Sequence, residues 1–195
     1  MSPAKSRTRT PTADIRAGLL AAGRRILERD GEARLTVRAV AAEAGVAPMG
    51  VYNHFDGKDG LINALVTDGF VEFARGIGTT DDDPADRLRN SGHKYREFAL
   101  ANPVLYGLMF DTDCEPDHEA ATDAFAVLAD IVRFGQAGGV IMAGDAEQIA
   151  MQAWSCVHGA VALELASAHP PQMDPAQNYD RVLTLIARGI APQPR

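Results

Sequence analysis

The stretch "AWSCVHGAVALEL", residues 153–165, brings a thiol, an imidazole and a carboxylate together as Cys156, His158 and Glu164. A thiol beside an imidazole is a common way to build an activated nucleophile. The segment has helical spacing, however, and residues two apart on a helix point in different directions, so Cys156 and His158 are badly placed as nucleophile and base. His93, His118 and His169 stand in unrelated contexts without HExxH or comparable spacing, and no metal site is expected. Cys114 and Cys156 are the only cysteines and neither belongs to a CxxC, which argues against a disulfide framework or a thiolate metal site. "GQAGG" follows a helical run instead of a strand, unlike a phosphate loop. No catalytic residue and no cofactor is expected. A helical enzyme or adaptor that binds a small molecule without any role at DNA is the competing reading.

A different chemistry is written in "LTVRAVAAEAGVAPMGVYNHFDGKDGL", residues 35–61. The Tyr52 hydroxyl and the His54 imidazole can hydrogen-bond phosphate oxygens, which positions a protein on a duplex without reading its sequence. Lys58 adds an ammonium at the start of a helix, where the backbone dipole already favours an anion. Arg38 can reach a guanine edge or a phosphate. Charge follows the same division: residues 1–54 carry nine Lys or Arg against five Asp or Glu, whereas the rest carries ten against twenty-one, within a net charge of −7. A basic end on an acidic chain suits a part that meets a polyanion, although a solvated tail accounts for the charge alone equally well.

The elements that must present these groups are helices almost throughout. Ile15, Leu19, Ala22 and Ile26 share one face of a helix predicted over about 12–29, which Asp30-Gly31 ends. Thr36 is an N-cap for a short helix whose Val37, Val40, Ala41 and Ala44 face inward, and Gly45 supplies the permissive backbone where it stops. Pro48 opens a third helix. Its Val51 and Phe55 are four apart, leaving Met49, Gly50, Tyr52, Asn53 and His54 to face elsewhere. A fourth helix over about 58–76 packs through Ile62, Leu65, Val66, Phe70 and Phe73.

The cluster "GIGTTDDDPADRL" then reads as a joint. Asp83-Pro84 starts the next helix, which runs to about Ala101 before Asn102-Pro103 interrupts it. A short helical "NPVLYGLMF", an acidic loop, and a helix over about 118–136 follow. Asp145 starts a helix expected to end near His169-Pro170-Pro171, and Asp174-Pro175 starts the last, which carries Val182, Leu183, Ile186 and Ile190. No alternating strand pattern and no repeat occurs. The expected fold is all-α with about nine helices. It divides into a flexible basic N-terminal arm over 1–11, a helix-turn-helix DNA-binding domain over 12–57, a connecting helix and linker over 58–80, and a ligand-binding and dimerisation domain over 81–195.

Helix, glycine-bearing turn and short second helix are the parts of a helix-turn-helix, in which the second helix enters the major groove. Residues 35–61 closely resemble the signature of the TetR family of bacterial transcriptional regulators, with Thr36, Ala41, Gly45, Val46, Tyr52, Phe55, Lys58 and Leu61 in the expected places. The resemblance spans about residues 12–73. It implies that Arg38, Pro48 and Met49 occupy positions that can read bases, and that Tyr52, His54 and Lys58 occupy phosphate-contacting ones. The full DNA-facing set is Thr36, Arg38, Pro48, Met49, Gly50, Tyr52, Asn53, His54 and Lys58. Two features depart from the pattern: Ala47 stands where many members have a serine cap, and Asp56-Gly57 replaces a basic or polar pair.

"AWSCVHGAVALEL" is similar to the Trp-His-Gly type of TetR C-terminal domain through Trp154, His158 and Gly159. Trp154 and His158 lie four apart on one helix face and are expected to line a ligand pocket with Phe98, Tyr106, Met109 and Phe110. The plain alternative is a core tryptophan and a hydrogen-bonded interior histidine. The helix from Asp145 is apolar on more than one side, which one chain can hardly cover, so the last two long helices are expected to pair with those of a second copy. No segment approaches the roughly 18 consecutive apolar residues of a membrane span, and the N-terminus lacks a secretory pattern. The expectation is a cytoplasmic homodimeric repressor that binds double-stranded operator DNA and responds to an unidentified small-molecule effector.

Overall fold

The computed structural model describes residues 12–111, 114 and 117–193. The arm expected over residues 1–11 lies outside them. Among the described residues there are nine α-helices and no strand. They are α1 (Thr12–Asp30), α2 (Val37–Ala44), α3 (Met49–Phe55), α4 (Lys58–Ile77), α5 (Pro84–Ala101), α6 (Pro103–Met109), α7 (His118–Ala137), α8 (Ala146–Leu165) and α9 (Pro175–Gly189). A single 3-10 turn over Glu32–Arg34 follows α1. The chain forms two compact units that meet within α4, between Val66 and Thr67.

The first unit is built on α1, α2, α3 and the start of α4. Leu19, Ile26 and Leu27 of α1 close on Leu35, Val40, Val51, Phe55, Leu61 and Leu65, all of them buried. Burial of a leucine or phenylalanine side chain is worth about 1.5–3 kcal/mol, so this cluster is what holds such short helices, which would be marginal alone. Val40 and Ala41 of α2 are buried, whereas Val37 and Ala44 are only half-buried. Gly23 lets α1 approach α4, since a Cβ there would lie 3.2 Å from Leu65 Cδ1.

The second unit packs α5, α7, α8 and α9 with the short α6. Aspartate caps start its long helices: Asp83 accepts from Ala85 N at 2.8 Å, Asp117 from Glu119 N at 3.0 Å, and Asp145 and Asp174 from Glu147 N and Ala176 N, each at 2.9 Å. Each such cap is worth about 1 kcal/mol. Arg96 of α5 donates twice to Glu164 of α8, at 2.7 and 2.5 Å, and its guanidinium lies 5.7 Å from the Tyr179 ring of α9. Tyr179 in turn donates to the Gly92 carbonyl at 2.7 Å. The end of α8 differs from the sequence expectation near His169. The helix stops at Leu165 because Ser167 turns left-handed at φ 52°, and the amides of Ser167 and Ala168 close back onto the Glu164 and Leu163 carbonyls.

Candidate DNA-binding surface and ligand cavity

In the first unit the turn between α2 and α3 is fixed at both ends. The Thr36 hydroxyl accepts from Ala39 N at 3.1 Å, starting α2. Gly45 adopts φ 70° and ψ 29°, a conformation costly for a residue with a Cβ, and the Val46 amide donates to the Ala41 carbonyl at 2.9 Å. The chain turns once and re-enters a helix at Pro48, which no side chain caps. Instead, Gly50 N and Val51 N donate to the carbonyls of Ala47 and Pro48 at 2.8 and 3.1 Å.

With Val51 and Phe55 buried, helical periodicity leaves the other face of α3 to solvent. Met49 is 64 % exposed and Tyr52 54 %, an unusual cost for large apolar side chains unless something covers them. Pro48 and Asn53 are exposed beside them, and Gly50 and His54 are half-buried. Arg38 projects from α2, exposed, without a bonded partner among the described residues. Lys58 is half-exposed and already engaged, with its Nζ 3.5 Å from Glu32 Oε1. Thr36 is exposed, but its hydroxyl is committed to the cap.

Glycine at position 60 is a requirement that periodicity does not show. A Cβ there would coincide with the Phe55 carbonyl oxygen, so only glycine lets the start of α4 sit against the end of α3. Between them Asp56 and Gly57 both take positive φ, 55° and 100°, which reverses the chain in two residues.

The second unit holds a partly open cavity of about 570 Å³. Its walls are aromatic and aliphatic, with Phe70, Phe73, Phe110, Phe125 and Trp154 prominent. Of the residues expected from the sequence, Phe110 and Trp154 line this space, whereas Phe98, Tyr106, Met109 and His158 do not. Phe98 packs against Phe73 with ring centres 5.2 Å apart, and Met109 is buried.

Tyr106 and His158 belong to a hydrogen-bonded group behind the wall. Trp154 Nε1 donates to the Tyr95 hydroxyl at 3.1 Å; the Tyr95 and Tyr106 hydroxyls are 2.8 Å apart and lie 3.0 and 2.9 Å from His158 Nδ1. Burial lowers the His158 pKa and so favours the neutral ring. An unprotonated Nδ1 then satisfies the group if Trp154 donates to Tyr95, Tyr95 to Tyr106 and Tyr106 to the imidazole. Burial also pushes Tyr95 up to about 12 and Tyr106 higher, so both keep their protons. Tyr95 lines the cavity too, and the sequence reading missed it. The i, i+4, i+8 stripe Ser91, Tyr95 and Ala99, buried on α5, is the signal that marks it. Cys156 is exposed on α8, away from this group's bonding, and no cluster of three or more potential metal ligands occurs among the described residues.

A short helix with an uncovered face, held by a glycine turn against a three-helix core, defines a DNA-binding transcriptional regulator of the helix-turn-helix kind. Residues 19–65 match the family described as bacterial regulatory proteins, tetR family, and residues 88–186 match the tetracyclin repressor-like C-terminal domain. The chain therefore belongs to the TetR family. It is 25 % identical to the HTH-type transcriptional regulator Rv1816 of Mycobacterium tuberculosis, over 91 % of this chain and 92 % of that protein. A Rhodococcus sp. RHA1 protein of unknown function superposes with a TM-score of 0.81 at 27 % identity, covering 96 % of this chain and all of that one. A tetR-family regulatory protein from Rhodococcus RHA1 gives 0.65 at 20 % identity, covering 96 % and 100 %.

Proposed function

We propose that the chain acts as a cytoplasmic homodimeric repressor that holds an operator through α3 and releases it when a small molecule occupies the cavity of the second unit. The exposed face of α3 carries this reading. Pro48, Met49, Tyr52 and Asn53 stand out together over a buried Val51 and Phe55, which suits insertion into a major groove. The DNA-contacting set remains Thr36, Arg38, Pro48, Met49, Gly50, Tyr52, Asn53, His54 and Lys58, with Thr36 acting through the α2 cap.

Pairing of two copies is supported by α8 and α9. Leu163 and Leu185 are 53 % and 67 % exposed, and Gly159 faces open space on the same side of α8 as Leu163 and Cys156. Small residues there permit close crossing in a four-helix interface. Release would follow from population shift: an effector that prefers dimers with badly spaced α3 helices lowers the DNA-binding fraction. No helix among the described residues is long and apolar enough to cross a membrane. Alanine at Met49, Tyr52 or Asn53 tests the reading. Each exposed side chain can be removed at little cost in stability, so gel shifts should lose duplex retention while the melting temperature stays put. Unchanged retention in all three variants would overturn the assignment of α3.

A further inference from the structure

The cavity holds one hydrogen-bonding group that the fold does not use. Ser91 is 3 % exposed, lies in the cavity wall, and its hydroxyl makes no hydrogen bond to any described residue. No fully enclosed side-chain oxygen among the described residues lacks a partner, so the Ser91 hydroxyl is not wholly sealed off, and Ser91 is one of the residues lining the cavity. A hydroxyl that the protein leaves unbonded in an otherwise apolar wall keeps a donor and an acceptor for a ligand.

The other polar groups of the lining are already occupied. Tyr95 is tied to Trp154, Tyr106 and His158, Thr184 Oγ1 donates to the Asp180 carbonyl at 2.9 Å, and the Gly92 carbonyl receives Tyr179. The charged groups of the lining stand at its solvent-facing edge: Arg89 pairs with Asp86 at 2.7 Å, and Asp180 lies 3.8 Å from the His93 ring, all four side chains at least 40 % exposed. The buried part of the lining carries no charged residue to balance a carboxylate or an ammonium, whose desolvation there would go unrewarded.

We infer that the cavity takes a neutral, mostly apolar molecule carrying a hydroxyl or carbonyl group that bonds Ser91. This rests on the reading of the cavity as the effector site and deepens it. Aromatic walls and a volume within the range of drug-sized ligands fit such a molecule.

Trp154 is the only tryptophan and lines the cavity, so its fluorescence reports occupancy directly. Four probes with equal chains separate the chemistry: 1-decanol, 2-decanone, decanoate and decylammonium. The neutral pair should shift Trp154 emission saturably, and the two ions should bind at least about tenfold more weakly. Ser91→Ala should weaken the better neutral probe about fivefold while leaving the melting temperature nearly level, because the hydroxyl it removes bonds none of the described residues. Equal binding of ions and neutral probes, or an unchanged neutral affinity in Ser91→Ala, would overturn the inference yet leave the cavity as a ligand site. Silence of Trp154 toward all four would remove the cavity reading itself.

Discussion

Lys58 and Glu32 face each other at 3.5 Å, so a phosphate that takes Lys58 must displace a carboxylate. Lys58→Ala should weaken binding to all duplexes alike and reduce the salt slope by about one unit, whereas Glu32→Gln should strengthen it; titrations at several salt concentrations measure both. Arg38, exposed and unpaired among the described residues, should behave differently, and Arg38→Ala should alter which base is preferred. Equal loss on every sequence would assign it to phosphate alone. The His158 imidazole carries a prediction about pH. Burial holds its pKa below the usual 6.5, so the unfolded chain binds a proton there that the folded chain refuses. Stability attributable to this site is therefore intact above 6.5 and declines as pH falls below it. Denaturant midpoints at about pH 7.5 and about pH 5.5 should converge in His158→Gln relative to the wild type.

At the scale of elements, local rules carried the first unit. Thr36 as cap, Gly45 as stop and the four-residue spacing of Val51 and Phe55 are short-range features, and each is legible without knowing what lies across the core. The cavity was less legible. Ser91, Phe125 and Leu183 come from α5, α7 and α9, and only their packing places them around one space. Trp154 and Phe110 were legible because large aromatics mark candidate walls, while Tyr106 and His158 carry the same signal and bond each other behind the wall instead. Gly60 was hidden for a related reason, since its necessity lies in the approach of the Phe55 carbonyl. Gly60→Ala should force α3 and α4 apart at a cost of about 1–3 kcal/mol, read as a lowered melting temperature together with weaker duplex binding. Full stability in that variant would mean that the α3–α4 junction can give way.

For the whole molecule, the first 54 residues carry nine Lys or Arg against five Asp or Glu and the remainder ten against twenty-one, a division that suits the proposed meeting of the first part with DNA. The proposed pairing through α8 and α9 should fail when Leu163 and Leu185 are both replaced by glutamate. Sedimentation should then report monomers, and duplex affinity should fall with the dimer because each half-site would have to be held alone. A dimer that survives the double substitution would place the interface elsewhere. The most direct measurement is selection from a randomised duplex library at low salt, followed by sequencing of the bound fraction. Operator binding by a dimer should enrich a near-palindrome whose half-site centres lie about 34–36 Å apart or a multiple of that distance, bound by two protomers. A bound fraction with no enriched sequence would contradict it.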